Sequence, residues 1–123
     1  MEQSRQLYYV PSTGTGGISA VYWLACEFGD KWSLPILCEL GSGALRFLQL
    51  KRALGEISQR MLTRTLKKLE RVGVVVRTST GSAGTQQVTY SLTEGGAELL
   101  EAMRKIDVWL CEHGYPAAAH TGD

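Results

Sequence analysis

Between residues 58 and 73, apolar and polar positions separate onto two halves of a helical wheel. At about 100° per residue, Met61, Leu62, Thr65, Leu66, Leu69 and Val72 share one half; Gln59, Arg60, Thr63, Arg64, Lys67, Lys68 and Arg71 share the other. Ser58 stands where an N-cap hydroxyl would accept a free backbone N–H, and Gly73 where a left-handed C′ residue would end the helix. The periodicity then changes. Two β-branched runs, 74–80 and 87–93, read as strands. The Gly81-Ser-Ala-Gly84 between them has no apolar anchor, so a solvated, mobile hairpin tip is expected.

The rest of the chain is mostly helical by the same reading. Residues 18–28 carry Ile18, Val21, Trp23, Leu24, Ala25 and Phe28 around much of the circumference, so this helix should be buried on more than one side. In a short chain the second side implies a partner subunit. Residues 32–40 form the next helix. Pro35 is tolerated only in a first turn, which favours Ser33 over Asp30 as its N-cap. A short strand at 45–47 precedes a helix at 48–54, with Leu50, Ala53 and Leu54 inward and Lys51 and Arg52 outward. Thr93 caps a last helix, 94–112, whose acids Glu94, Glu98 and Glu101 precede Arg104 and Lys105 as the helix dipole prefers. Its stripe of Leu99, Leu100, Met103, Ile106, Trp109 and Leu110 exceeds what one small core needs, and marks a second dimer element.

The expected fold is therefore mainly α with a small antiparallel β-wing: a winged helix-turn-helix over 18–113, dimerised by its N- and C-terminal helices. A flexible arm at 1–17, with a Gly-rich linker from Pro11 to Gly17, and a flexible tail at 114–123 would flank it.

Charge changes this from a fold to a function. The polar half of the 58–73 helix carries Arg60, Arg64, Lys67, Lys68 and Arg71, with only Glu70 near its edge. Solvated helix faces usually mix signs to gain i,i+4 pairs, and cations this close repel unless an anion neutralises them. The net charge of +1 conceals the segregation: residues 44–77 balance to +7 and the remainder to −6. One face is suited to phosphate, and the acidic remainder limits wrong docking.

Other chemistry is sparse. Cys26, Cys38 and Cys111 lack close metal-ligand spacing, so no metal or cofactor is expected; their apolar helical settings suggest buried, reduced, structural thiols. Neither a phosphate-binding glycine motif nor a paired-carboxylate site is present, which argues against an enzyme. No apolar run approaches the ~18 residues of a membrane span and no signal segment opens the chain, so a cytoplasmic, nucleoid-associated location is expected.

The string Gly29-Asp-Lys-Trp-Ser-Leu-Pro-Ile-Leu-Cys-Glu-Leu40, with Arg46-Phe47, Leu48-Gln-Leu50, Ile57-Ser58, Met61-Leu-Thr63, Leu66-Lys-Lys-Leu-Glu70, Gly73 and Tyr90-Ser-Leu-Thr93, resembles the HxlR-type transcriptional regulators, a dimeric winged-helix group related to the MarR regulators. The resemblance runs from about Ser19 to Trp109. It implies a homodimer whose two recognition helices enter successive major grooves of a near-palindromic double-stranded DNA operator. Carried over by position, Ser58, Gln59, Arg60, Thr63, Arg64 and Lys67 face DNA, and the wing from Arg77 to Gln87 lies on the backbone or minor groove. Many members carry a cysteine upstream of the tryptophan that matches Trp32, and several use it to sense oxidants or electrophiles. Ser19 occupies that place here, and Cys26 lies further along the same helix. The wing tip, proline-rich in many members, is glycine-rich here.

The candidate DNA contacts are thus Arg46, Ser58, Gln59, Arg60, Thr63, Arg64, Lys67, Lys68, Arg71 and Arg77. Arg60, Lys67, Lys68 and Arg71 suit phosphates by their place on the flanks or far end of the helix. Gln59, Arg60, Thr63 and Arg64, nearer its N-terminus, can reach base edges. Tyr22, Trp23, Cys26, Phe28, Trp32, Met103, Ile106 and Trp109 are the candidate dimer or effector residues, with Tyr115 adding to the aromatics. Two readings of these stay open. They are core and interface packing, or some line a pocket for a flat aromatic effector that changes the spacing of the recognition helices. The competing functions are a thiol-based redox regulator using Cys26 and a winged-helix protein-interaction module that does not touch DNA.

Overall fold

The computed structural model describes residues 18–82 and 84–116. The expected arm at 1–17 and most of the expected tail lie outside them. Helices α1 (Ile18–Phe28) and α2 (Ser33–Leu40) are followed by β1 (Leu45–Arg46), α3 (Phe47–Leu54), α4 (Gln59–Val72), β2 (Val75–Thr80), β3 (Gln87–Leu92) and α5 (Glu94–Glu112). The three strands form one antiparallel sheet in the order β1-β3-β2. Helices α3 and α4, joined by a short turn, make the helix-turn-helix; the β2–β3 hairpin is the wing. The expected order and element types hold, with boundaries moved by a residue at α2, β1, α3, β2 and β3.

The core forms where these elements converge. Phe28 from α1, Ile36, Leu37 and Leu40 from α2, Leu50 from α3, Leu62, Leu66 and Leu69 from α4, and Leu100 from α5 are buried together with Ile57, Val74 and Val75. Each large side chain removed from water contributes roughly 1.5–3 kcal/mol. Thr65 lies among them, its hydroxyl donating to the Met61 carbonyl at 2.8 Å, so it brings no unsatisfied group into the interior.

Several local expectations are corrected. Ser33 does not cap α2. It is buried, and its hydroxyl donates to the Asp30 carboxylate at 2.6 Å, while Asp30 accepts the Trp32 and Ser33 backbone N–H groups at 3.1 Å each. A carboxylate reaches the free N–H groups as well as a hydroxyl would and carries the charge that a helix N-terminus favours. Ala53 is exposed, because the inward arc of α3 is set by Phe47, Leu50 and Leu54 and leaves Ala53 at its edge. The three cysteines are exposed free thiols in the single subunit, not buried ones: a small side chain in an apolar stretch says little about which face it occupies.

One junction joins α4 to the last helix. Gly73 takes the left-handed conformation (φ 96°), and its N–H reaches the Leu69 and Glu70 carbonyls, ending α4 as expected. The Thr93 hydroxyl donates to the Gly73 carbonyl at 2.7 Å and accepts the Gly96 N–H at 2.9 Å. The Thr93 N–H donates to the Val74 carbonyl at 3.0 Å. Here α5 meets the chain backbone to backbone: a Cβ on Gly96 would lie 2.1 Å from the Val74 carbonyl oxygen. Gly96→Ala should therefore lower stability to urea by about 1–3 kcal/mol, the range for forcing volume into a filled site. Gly95→Ala, whose Cβ would meet nothing nearer than Thr93 Oγ1 at 3.9 Å, should be neutral or stabilising. Equal unfolding midpoints for the two variants would exclude this close approach.

Candidate nucleic-acid interface

The DNA-facing candidates on α4 are sorted by how the helix packs. Ser58 accepts the Met61 N–H at 3.0 Å, so the N-cap is formed as expected. With Leu62, Leu66 and Leu69 turned into the core, Gln59, Arg60, Thr63, Arg64, Lys67 and Arg71 are all exposed. No carboxylate among the described residues pairs with Arg60, Arg64, Lys67 or Arg71. This leaves a positive surface available to an external anion.

Lys68 differs. Its ammonium turns back against the body of the protein, 2.8 Å from the Asp30 carboxylate, and also donates to the Glu27 carbonyl. Its position on the wheel suggested a phosphate contact, but the charge is already matched within the subunit. The pattern alone did not bring Asp30 to this place, since the two residues meet only through tertiary packing. Burial by itself would raise the Asp30 pKa. Hydrogen bonds from Lys68, Ser33 and Trp32, with the Lys68 charge, outweigh that and lower it from 3.8 to about 2.

The sheet places its two arginines apart. Arg46 pairs with Thr89, which pairs with Thr78; Tyr90 pairs with both Leu45 and Arg77. Cross-strand partners share a face, so Arg46 and Arg77 lie on opposite faces of the sheet, both exposed. The Arg46 N–H donates to Gln49 Oε1 at 2.8 Å, which fixes the strand-to-α3 corner. Arg77 is the only charged residue in either wing strand; the others that face solvent there are mainly Thr, Ser and Gln. Lys51 and Arg52, with Leu48 and Gly55, line a shallow depression along α3 that the wheel pattern did not single out.

The dimer and effector candidates do not gather in one place. Phe28 belongs to the core and Trp32 packs against it, with the Lys31 ammonium 5.1 Å from the Trp32 ring centre. Trp23 and Met103 are half-buried. Val21 (60% exposed), Ile106 (51%) and Trp109 (52%) leave large apolar surface in water, as do Tyr22 and Val108. Cys26 is exposed on α1. Trp109 stacks on His113 with ring centres 4.1 Å apart, at the end of α5. So α1 joins the core only towards its C-terminal end, rather than being surrounded within one subunit. None of the described helices is long and apolar enough to cross a membrane.

Residues 27–117 match the family described as HxlR-like helix-turn-helix. The chain belongs to that family. It is 38% identical over 94 residues, 76% of this chain and 68% of the relative, to a protein of Methanothermobacter thermautotrophicus described as an uncharacterized HTH-type transcriptional regulator. Among solved structures it resembles a MarR-family transcriptional regulator from Enterococcus faecalis V583 (TM-score 0.72, 31% identity, covering 81% of this chain and 90% of that one). It also resembles the reduced form of the redox regulator HypR (TM-score 0.69, 32% identity, 80% and 95% covered). This HxlR-family chain is thus a transcriptional regulator with a winged-helix fold, and its α4 is the second helix of a DNA-binding helix-turn-helix.

The Asp30 arrangement carries a pH signature. A carboxylate whose folded pKa is lowered gives stability that is fully present above its unfolded value and lost as pH falls through the folded one. The stability difference between wild type and Asp30→Asn should therefore be constant above about pH 4 and shrink between pH 3.8 and about 2. Thermal melts across that range check it, and a difference that grew on acidification would contradict the assignment.

Proposed function

We propose that this HxlR-family regulator acts as a homodimer on a near-palindromic DNA operator at the nucleoid. The observation that carries the reading is the exposed face of α4, where Arg60, Arg64, Lys67 and Arg71 lie beside Ser58, Gln59 and Thr63 while the opposite face is locked into the core. In a helix-turn-helix the second helix lies in the major groove with its N-terminal residues at base edges. Gln59, Arg60, Thr63 and Arg64 then read bases, while Lys67 and Arg71 hold phosphates. Arg46, beside α3, and Arg77, on the wing, flank the groove. A second copy covering the apolar surface of α1 and α5 would set two α4 helices about 34 Å apart, one turn of DNA.

Selection of genomic fragments by the purified protein, with random competitor DNA at about 150 mM salt, should enrich a near-palindrome. On that operator, Arg64→Ala should lose roughly 1–3 kcal/mol and relax one base position, as expected for an arginine bound to guanine. Equal loss on operator and random DNA would reduce Arg64 to a phosphate contact.

The same reading includes control through the apolar surfaces of α1 and of α5. Tyr22 and Trp109 are exposed there, which supports a flat aromatic effector. The likeness to HypR, named a redox regulator, together with the exposed Cys26, supports oxidation as the alternative signal. Tryptophan fluorescence and operator release, measured with a panel of aromatics and with an oxidant, separate the two. Quenching and release by an aromatic, retained in Cys26→Ser, is the expected result; release by oxidant alone, abolished in Cys26→Ser, would transfer the role to the thiol.

A further inference from the structure

Of the cations on α4, Lys68 alone is turned away from solvent, and what it holds is specific. Glu27 lies in the last turn of α1, where carbonyls lack intrahelical partners and the helix end is negative; Lys68 donates to its carbonyl. Asp30 accepts the first N–H groups of α2, and Lys68 lies 2.8 Å from its carboxylate. The ammonium also sits 5.9 Å from the centre of the buried Phe28 ring. One side chain from the recognition helix therefore joins the end of α1 to the start of α2. At the end of α1 there is no room for a side chain on Gly29, whose Cβ would lie 2.8 Å from the Ala25 carbonyl oxygen.

We propose that Lys68 and Asp30 form a positioning pair that sets the angle of α4 to α1, and so the separation of the two reading helices, instead of touching DNA. This rests on the reading of the protein as a dimeric operator binder with α1 at its interface. The leucine contacts that hold α4 are non-directional and tolerate small rotations. A charge-assisted hydrogen bond is directional, and it stands where the dimer helix meets the reading helix. Two half-sites can be filled at once only when both helices are held to within about 10–20° of the productive geometry.

Lys68→Met keeps an unbranched stem near Phe28 and deletes the ammonium. Asp30→Asn keeps an oxygen for the α2 N–H groups and deletes the charge. Thermal melts establish that both variants and the double variant are folded, and each is titrated with the selected operator and with random DNA at several salt concentrations. All three should lose operator affinity by about fivefold or more, the lower range of coupling between sites. Random-DNA affinity and the slope of log K against log salt should not change, and the double variant should be no worse than either single one. A phosphate contact makes the opposite pattern: Lys68→Met would weaken both DNAs and lower the salt slope by about 1, and Asp30→Asn, which removes an anion, would tighten binding. That pattern, or three unchanged affinities, overturns the pair. A wild type without operator preference would instead refute the operator-binding reading. Hydrogen exchange without DNA then decides the pair alone: faster exchange at 27–33 and in α4 in both variants supports it, and unchanged exchange overturns it.

Discussion

A helix with several like charges in water on one face is held mainly by its other face and its two ends. For α4 that constraint organises the molecule. Leu62, Leu66 and Leu69 supply the apolar hold, and the rest of the core is arranged around them. Ser58 closes the N-terminus and Gly73 the C-terminus. Beyond Gly73 the Thr93 hydroxyl ties the helix end to the first turn of α5, while part-way along it Lys68 reaches the α1–α2 elbow. Repulsion along the outer face is tolerated because the apolar hold and the two end caps do not depend on it, and one of its charges, Lys68, is matched by Asp30. The outer side chains can therefore vary without disturbing the fold.

The elements were legible because local chemistry and global packing agree in this chain. Alternation, caps and glycines placed α1, α4 and α5 with the boundaries that the structure has, and the split wheel of α4 separated core from surface. Legibility failed where a side chain's role depends on a distant partner. Lys68 looked like its neighbours Lys67 and Arg71 on the wheel; only the fold brings Asp30, 38 positions away in sequence, within reach. Asp30 and Ser33 were both visible as caps, yet their division of labour follows from Ser33 being fully buried, which composition does not encode. The thiols are the plainest case. Cys38 sits between Leu37 and Leu40, both buried, and still faces water, because a helix turns by more than a quarter circle per residue. The two sheet arginines teach the same lesson at period two: Arg46 and Arg77 carry the same charge at the same sheet, and strand register puts them on opposite faces.

Helix α5 is divided along its length. Leu100 is buried and Leu99 packs against the core, whereas Ile106, Val108 and Trp109 are more than half exposed. Its far half is therefore released from the packing demands of its own subunit. Substitutions there leave the leucine packing that holds α4 untouched. The exposed stretch of α5 and the exposed face of α4 can accordingly change independently of one another, because they lie in separate stretches of the chain and neither is bound by the packing of the core.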